Sequence, residues 1–297
     1  MTINSGKQHV DKIDADSRID PPGGTVITIV VDNRVENGLV EEHGLSLRIE
    51  TGNRAILFDT GQGKALRPNA EQLGVDLKKI NMLVLSHGHY DHTGGVAEVL
   101  RLATKADVYC HAGVVQPRYS IRDGKARAIH MPRKSMSAID ELSEERLHWI
   151  HEPVMISNTV GITGPVPRET NFEDRGGPFY LDPEGQRVDM IDDDMALWIR
   201  TGGGVVVCVG CCHAGLVNTL RYVTELTGKN AIRAVIGGFH LVNADSRRLE
   251  ETVRALRVID PEMIVPCHCT GDEATGVLQR ELGGRVHPGV AGMTFRF

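Results

Sequence analysis

The segment His87-Gly88-His89-Tyr90-Asp91-His92 constrains this chain more than any other, because three histidines and a carboxylate fall within six residues. It directly follows the apolar run Met82-Leu83-Val84-Leu85-Ser86, which reads as a buried strand, and precedes Thr93-Gly94-Gly95-Val96, where a helix can begin. An extended strand end points residues 87, 89 and 91 the same way, and the turn into the helix brings residue 92 alongside. Imidazole nitrogen and carboxylate oxygen are donors that a borderline Lewis acid such as Zn²⁺ prefers. Four such donors can fill half the shells of two neighbouring ions. The plain alternative is a solvated His-rich turn, which gives no reason for following a buried strand so abruptly.

This H-x-H-x-D-H pattern after an apolar strand resembles the signature of the metallo-β-lactamase superfamily. Further segments resemble one branch of it, the dihydropteroate-synthase-like or dihydropterin ribofuranosylaminobenzene 5′-phosphate synthase-related proteins. They are Val31-Asp32-Asn33, Glu42-His43-Gly44-Leu45-Ser46, Leu57-Phe58-Asp59-Thr60-Gly61, Thr163-Gly164-Pro165-Val166-Pro167-Arg168, Gly210-Cys211-Cys212-His213-Ala214-Gly215 and Gly237-Gly238-Phe239-His240-Leu241. The resemblance implies an αββα sandwich with the metal at one edge of the sheets. It does not by itself fix the chemistry, since one scaffold hosts many reactions.

The pattern of the rest of the chain leads to the same class, α/β, with two mixed β-sheets face to face and helices outside. Val26 to Val31, Leu45 to Glu50 and Ala55 to Phe58 read as strands between Gly or Asn turns. Leu66, Ala70 and Leu73 mark a helix closed by Gly74, and Val96, Val99, Leu100 and Ala103 mark another. From Met195 a hairpin turns at Gly202-Gly203-Gly204. Helical stripes at Leu216 to Leu226, Leu249 to Leu256 and Asp272 to Leu282 then alternate with strands Ala234 to Ile236 and Met263 to Pro266. We expect a mobile N-terminal leader over residues 1–24 and a single domain over 25–297. Lid or insert regions are expected at about 116–148, rich in Arg, Lys, Met and Ser, and at 164–194, rich in Pro, Gly and Asp.

Charge and cysteine usage narrow the partners. A formal net charge of −6 without a basic run disfavours a nucleic acid and leaves a small-molecule substrate. No apolar stretch reaches the length of a membrane span, and Met1 to Pro22 has no apolar core for export, so a cytoplasmic protein with reduced thiols is expected. The sequence sets no oligomeric state. Cys208-x-x-Cys211 lacks a second pair to complete a zinc knuckle, so buried thiols on the floor of the site are the better reading.

Three later histidines each follow an apolar strand: His213, His240 and His268. His268 resembles the last histidine ligand of the superfamily, before a closing helix. Where most of the superfamily places an aspartate that bridges two metals, this chain has Cys211-Cys212-His213. His213 is then the economical source of the missing nitrogen, with Cys211 or Cys212 as a soft thiolate alternative. His87, His89 and His213 are expected to hold the first ion, and Asp91, His92 and His268 the second. His240 is placed in the pocket as a catalytic group or substrate contact, beside glycines that would let backbone approach a ligand. His43, His111, His130, His148, His151 and His287 lack such context and default to surface or packing roles. Asp59 ends a strand beside the metal strand, and the resemblance implies that it orients the metal loop. Arg168 could hold an anionic group through its planar fork, with Arg133 and Lys134 nearby.

The leading expectation is a metal-dependent hydrolase. Two divalent ions, zinc first with manganese or iron as alternatives, would lower the pKa of a shared water and direct the resulting hydroxide at a small ester, lactone, amide or phosphodiester. Asp91 would also orient that hydroxide. The alternatives are an iron-dependent oxidoreductase on the same fold and a pterin-linked ribofuranosyl transferase or synthase. No G-x-S-x-G elbow or phosphate-gripping Gly-Lys loop offers another route.

Overall fold

The computed structural model describes residues 24–36, 38–228 and 230–297. The expected leader therefore lies, up to residue 23, outside the described residues. Strands β1 (Thr25–Val31), β2 (Ser46–Thr51) and β3 (Arg54–Phe58) form an antiparallel meander. After helix α1 (Leu66–Gln72) come β4 (Met82–Val84), α2 (Tyr90–Thr93), α3 (Val96–Leu102) and β5 (Asp107–Cys110). The hairpin β6 (Tyr119–Arg122) and β7 (Lys125–Ala128) follows, then α4 (Arg133–Asp140) and β8 (Leu147–Trp149). The second half runs through β9 (Val154–Met155), β10 (Val160–Ile162), β11 (Phe179–Tyr180), β12 (Ala196–Thr201), β13 (Gly204–Val209) and α5 (Leu216–Leu226). It closes with β14 (Ile232–Gly238), α6 (Ser246–Ile259), β15 (Met263–Cys267), α7 (Asp272–Leu282) and β16 (Thr294–Arg296).

Seven strands form one sheet in the order β16-β1-β2-β3-β4-β5-β8, and six form the other in the order β15-β14-β13-β12-β10-β9. Each mixes parallel and antiparallel pairs: β3-β4-β5-β8 and β13-β14-β15 are parallel. The expected αββα sandwich is what the chain forms. Between the sheets, Ile27, Ile49, Phe58 and Val84 meet Ile162, Leu197, Val206, Ile236 and Val265 in one apolar core. Outside the first sheet, Leu57, Leu83 and Val108 pack on Leu66, Val99 and Ile139 of α1, α3 and α4. Outside the second, Val205, Val207 and Val235 pack on Leu220, Leu256 and Leu278 of α5, α6 and α7. The unbroken run Val205-Val206-Val207-Cys208-Val209 follows from this placement. Its side chains alternate between two buried faces, so every position is apolar.

Pro266 lies in β15, an outermost strand of its sheet, where a missing ladder donor is tolerated. Of the two glycines before His240, Gly237 has a packing role. At Gly237, with φ +136°, a Cβ would run into the Val209 carbonyl, so glycine lets β14 pair closely with β13. Among the described residues no helix is long and apolar enough to cross a membrane.

Within 116–148, only the first part reaches the site. The β6–β7 hairpin joins β11 in a small third sheet, whereas α4 packs on the first sheet's outer face and β8 extends that sheet. Residues 164–194 are irregular apart from β11.

Candidate metal centre and its cavity

Every group that builds the site follows the C-terminal end of a strand. Asp32 and Asn33 follow β1, Asp59 follows β3, and residues 86–92 follow β4; Cys211 and His213 follow β13, His240 follows β14, and His268 and Cys269 follow β15. Open sheets present ligand-binding loops at such ends. Strain gathers there as well. Asp59, Cys212, His240 and His268 have φ of 61°, 51°, 47° and 46°, a region costly for side chains that are not glycine.

Four imidazoles are held in the same sense. His92 Nδ1 donates to Asp59 Oδ2 at 2.6 Å, His268 Nδ1 donates to Asn33 Oδ1 at 2.8 Å, and His213 Nδ1 donates to the Arg175 carbonyl at 2.9 Å. Ser86 Oγ donates to Asp59 Oδ2 at 2.6 Å and accepts from His87 Nδ1 at 2.9 Å. With each Nδ1–H engaged outward, the Nε2 lone pairs are left for the interior. Such outer partners fix tautomer and ring direction for metal-ligating histidines. His213 Nε2 and His89 Nε2 are buried without any partner, as is His240 Nδ1.

The lone pairs converge on a thiol. Cys211 is within ligand reach of His87 and His213 as one trio, of His92 and His268 as a second, and of His240 and Cys269 as a third, each set of donor atoms lying within 4.8 Å. His92 Nε2 is 3.1 Å from Cys211 Sγ. A fourth trio joins His43, Asp91 and His268, with Asp91 Oδ2 at 3.1 Å from His43 Nε2 and 3.4 Å from His268 Nε2. His89 is placed differently, with Nδ1 2.9 Å from His87 Nε2.

The electrostatics suit a cation. Burial holds His87, His89 and His213 well below the ordinary histidine range, so they stay neutral and keep a lone pair. Burial pushes Asp91 up, but hydrogen bonds from His268 and His43 outweigh it and keep the group a carboxylate. Burial pushes His92 down, and the Asp59 carboxylate beside it more than reverses this, to about 9. A positive charge is thus favoured beside Asp59, and a metal ion would supply one as a proton does. Neutral imidazoles, an ionised carboxylate, a central sulfur and buried donors without partners form a set that fits a divalent metal.

Several placements differ from the sequence reading. Arg168 is not at the cavity: it donates to the carbonyls of His213 at 2.6 Å and Met190 at 2.5 Å, so it shapes the His213 loop. Arg133 and Lys134 are exposed at the start of α4. Cys212 turns away and packs in the outer core with Leu216 and Leu220. His43, given a surface or packing role by default, is exposed and also reaches Asp91. Cys269 joins the donors, and burial is outweighed by the hydrogen bond with Cys211 and by the His240 ring, which hold this thiol well below the usual range. Asn33 was missed although its segment was singled out: Oδ1 receives both Gly44 N and His268 Nδ1, while Nδ2 faces His43 Nδ1 at 3.2 Å. The buried pair of Arg118 with Asp193 was missed as well, and Asp193 Oδ2 accepts Gly88 N at 2.8 Å in the middle of the histidine turn. Gly88 is required there because a Cβ would meet the Val114 backbone.

Asp91, Cys211, His240, His268 and Cys269 line a cavity of about 710 Å³, whereas His87, His92 and His213 are not among its lining residues. Tyr90 and Phe179 supply aromatic walls, and the β6–β7 hairpin lines the mouth. Phe179 lies 5.3 Å from His89 and 5.4 Å from His213, ring centre to ring centre.

The family model described as the metallo-beta-lactamase superfamily matches residues 40–268. A Methanocaldococcus jannaschii protein named 7,8-dihydropterin-6-methyl-4-(beta-D-ribofuranosyl)-aminobenzene-5′-phosphate synthase is 29% identical over 252 residues, covering 81% of this chain and 85% of its own. A second protein of that organism, described as uncharacterised, is 33% identical over 252 residues, covering 84% and 92%. The solved structure of Tm1679, described as a metal-dependent hydrolase of the beta-lactamase superfamily, superposes with a TM-score of 0.77 at 29% identity, covering 92% of this chain and 99% of that one.

Proposed function

This chain belongs to the metallo-β-lactamase superfamily, and on that premise we propose that it is a metal-dependent enzyme that joins a heterocyclic fragment to a ribosylated aromatic partner. The observation that carries this reading is the buried donor cluster opening into a cavity with aromatic walls, of a size suited to small molecules. The methanogen relative supports it, because its named product unites a dihydropterin, a methyl carbon and a ribofuranosylaminobenzene phosphate.

His87 and His213 with Cys211 would hold one ion, and His92 and His268 with Cys211, joined by Asp91 beside His268, would hold a second. Sulfur and imidazole donors favour zinc over manganese, with iron as the alternative. When bound, a divalent ion supplies Lewis acidity toward a leaving-group oxygen. Phe179 and Tyr90 would hold planar rings, and the enclosed floor would keep water from capturing the electrophilic carbon. In the joining step the methyl carbon bonds to the aminobenzene, its leaving group departs with the bonding electron pair, and the aminobenzene releases one proton. His240, whose side chain lines the cavity, is the acceptor for that proton.

Metal-assisted hydrolysis of a small ester, lactone, amide or phosphodiester is the second reading, favoured by the description of Tm1679. One experiment separates the two. Protein purified without added metal is analysed for its metals, then incubated with a 7,8-dihydropterin bearing a phosphate leaving group on its 6-methyl carbon and with 4-(β-D-ribofuranosyl)aminobenzene 5′-phosphate. Mass spectrometry should find the joined product, lost in His240→Ala and after chelation. Release of the leaving group without a joined product favours hydrolysis, and iron with oxygen uptake favours the oxidoreductase.

A further inference from the structure

The hairpin at the cavity mouth carries charge that the donor cluster does not explain. Its register sets Ser120 opposite Arg127 and Arg122 opposite Lys125. Side chains directly opposite in an antiparallel pair share a face, so these four stand together, and all four line the cavity. The cations are exposed, and among the described residues none meets a carboxylate within ion-pair distance, Asp123 of the adjoining turn included. Arg127 instead reaches the Tyr90 hydroxyl at 3.3 Å and lies 5.5 Å from the centre of that ring. Elsewhere exposed arginines do find acids, as in Arg67 with Glu71, Arg254 with Glu251 and Arg257 with Glu281. Like charges directly opposite on a hairpin are destabilising, so Arg122 facing Lys125 is a local cost that a bound anion would remove.

We propose that this hairpin face is a phosphate-monoester subsite. Arg122, Lys125 and Arg127, with the Ser120 hydroxyl, hold the phosphoryl group at the mouth, while the ring of the same substrate lies against Tyr90 and Phe179 and its far end reaches the donors. A monoester phosphate carries close to two negative charges and presents three acceptor oxygens, which three clustered donors match better than a single carboxylate would. The inference rests on the preceding reading only in placing the substrate in this cavity. It relocates the anion grip from Arg168, whose guanidinium is already engaged with carbonyls.

Adenosine 5′-monophosphate, a planar ring on a ribosyl phosphate, is the probe, with adenosine as its neutral partner. Titration calorimetry on the metal-loaded protein at low salt should show AMP binding at least about tenfold more tightly than adenosine. In Arg122→Ala/Lys125→Ala/Arg127→Ala that advantage should vanish with metal content unchanged, and in Arg122→Ala/Lys125→Ala, which spares the Arg127 contact with Tyr90, adenosine affinity should hold as well. Arg122→Gln and Lys125→Gln, both at exposed positions, should lower it stepwise, and added salt should erode it in the parent protein. AMP binding that survives the triple variant would put the phosphate on the donor cluster and overturn the proposal. So would a parent protein that treats AMP and adenosine alike or binds neither at millimolar concentration. Because this assay reads binding without turnover, the joining reaction can fail while the subsite stands, and the reverse.

Discussion

Asp59 uses both carboxylate oxygens within the site. Oδ1 accepts the Ser86 amide at 2.8 Å, and Oδ2 receives both the Ser86 hydroxyl and His92 Nδ1. Through Ser86 it also fixes His87, so one carboxylate sets the direction of two candidate ligands. In Asp59→Asn the amide nitrogen would confront two donors. Metal affinity should then fall by about 10- to 100-fold, as when other outer partners of metal ligands are lost. Competition with a chromogenic chelator measures it, and unchanged affinity would reduce Asp59 to a turn residue. Its position at a strand end was legible in Leu57-Phe58-Asp59-Thr60-Gly61. The roles of Asn33 and His43 were not, because each depends on a partner brought close only by folding: His268 is 235 residues from Asn33.

At the level of elements, the site depends on how β6 is anchored. Arg118, just before that strand, is buried and forks onto Asp193, with Asp189 Oδ2 3.0 Å from its Nε. Asp193 in turn holds the Gly88 amide, so one ion pair ties the cavity hairpin to the histidine turn. Removing one partner of a buried pair strands the other charge, at a cost of about 3–5 kcal/mol. Arg118→Met should lower stability by that order, read from the midpoint of urea unfolding, and a midpoint equal to the parent's would refute the anchoring role. Nothing local in the sequence marks this pair, whose members stand 75 residues apart. The hairpin itself was legible and was passed over: Tyr119-Ser120-Ile121-Arg122 and Lys125-Ala126-Arg127-Ala128 alternate, and Asp123-Gly124 between them, with φ of 50° and 70°, is a two-residue hairpin turn.

For the molecule as a whole, the fold was legible because its central strands and helices follow clean periods. Val205 to Val209 and the stripes of α5, α6 and α7 each specify a layer. The edge strands β8 and β16 escaped because each has only three residues and a pattern set by its neighbours. The histidine turn after β4 was also plain from spacing. His213 and His268, each after an apolar strand of the opposite sheet, were named as well, and the structure brings both to the cluster; what spacing left open was Cys211 against Cys212, which is decided by a backbone turn at Cys212, where φ is 51°. On the arrangement proposed above, one sulfur, that of Cys211, joins the donors of the two sheets around a metal. X-ray absorption at the metal edge, on protein loaded with zinc, tests it most directly. Sulfur is expected in the first coordination shell of the parent protein and of Cys212→Ser, with a weaker sulfur signal and less bound metal in Cys211→Ala. A shell of nitrogen and oxygen alone, identical in all three proteins, would contradict it.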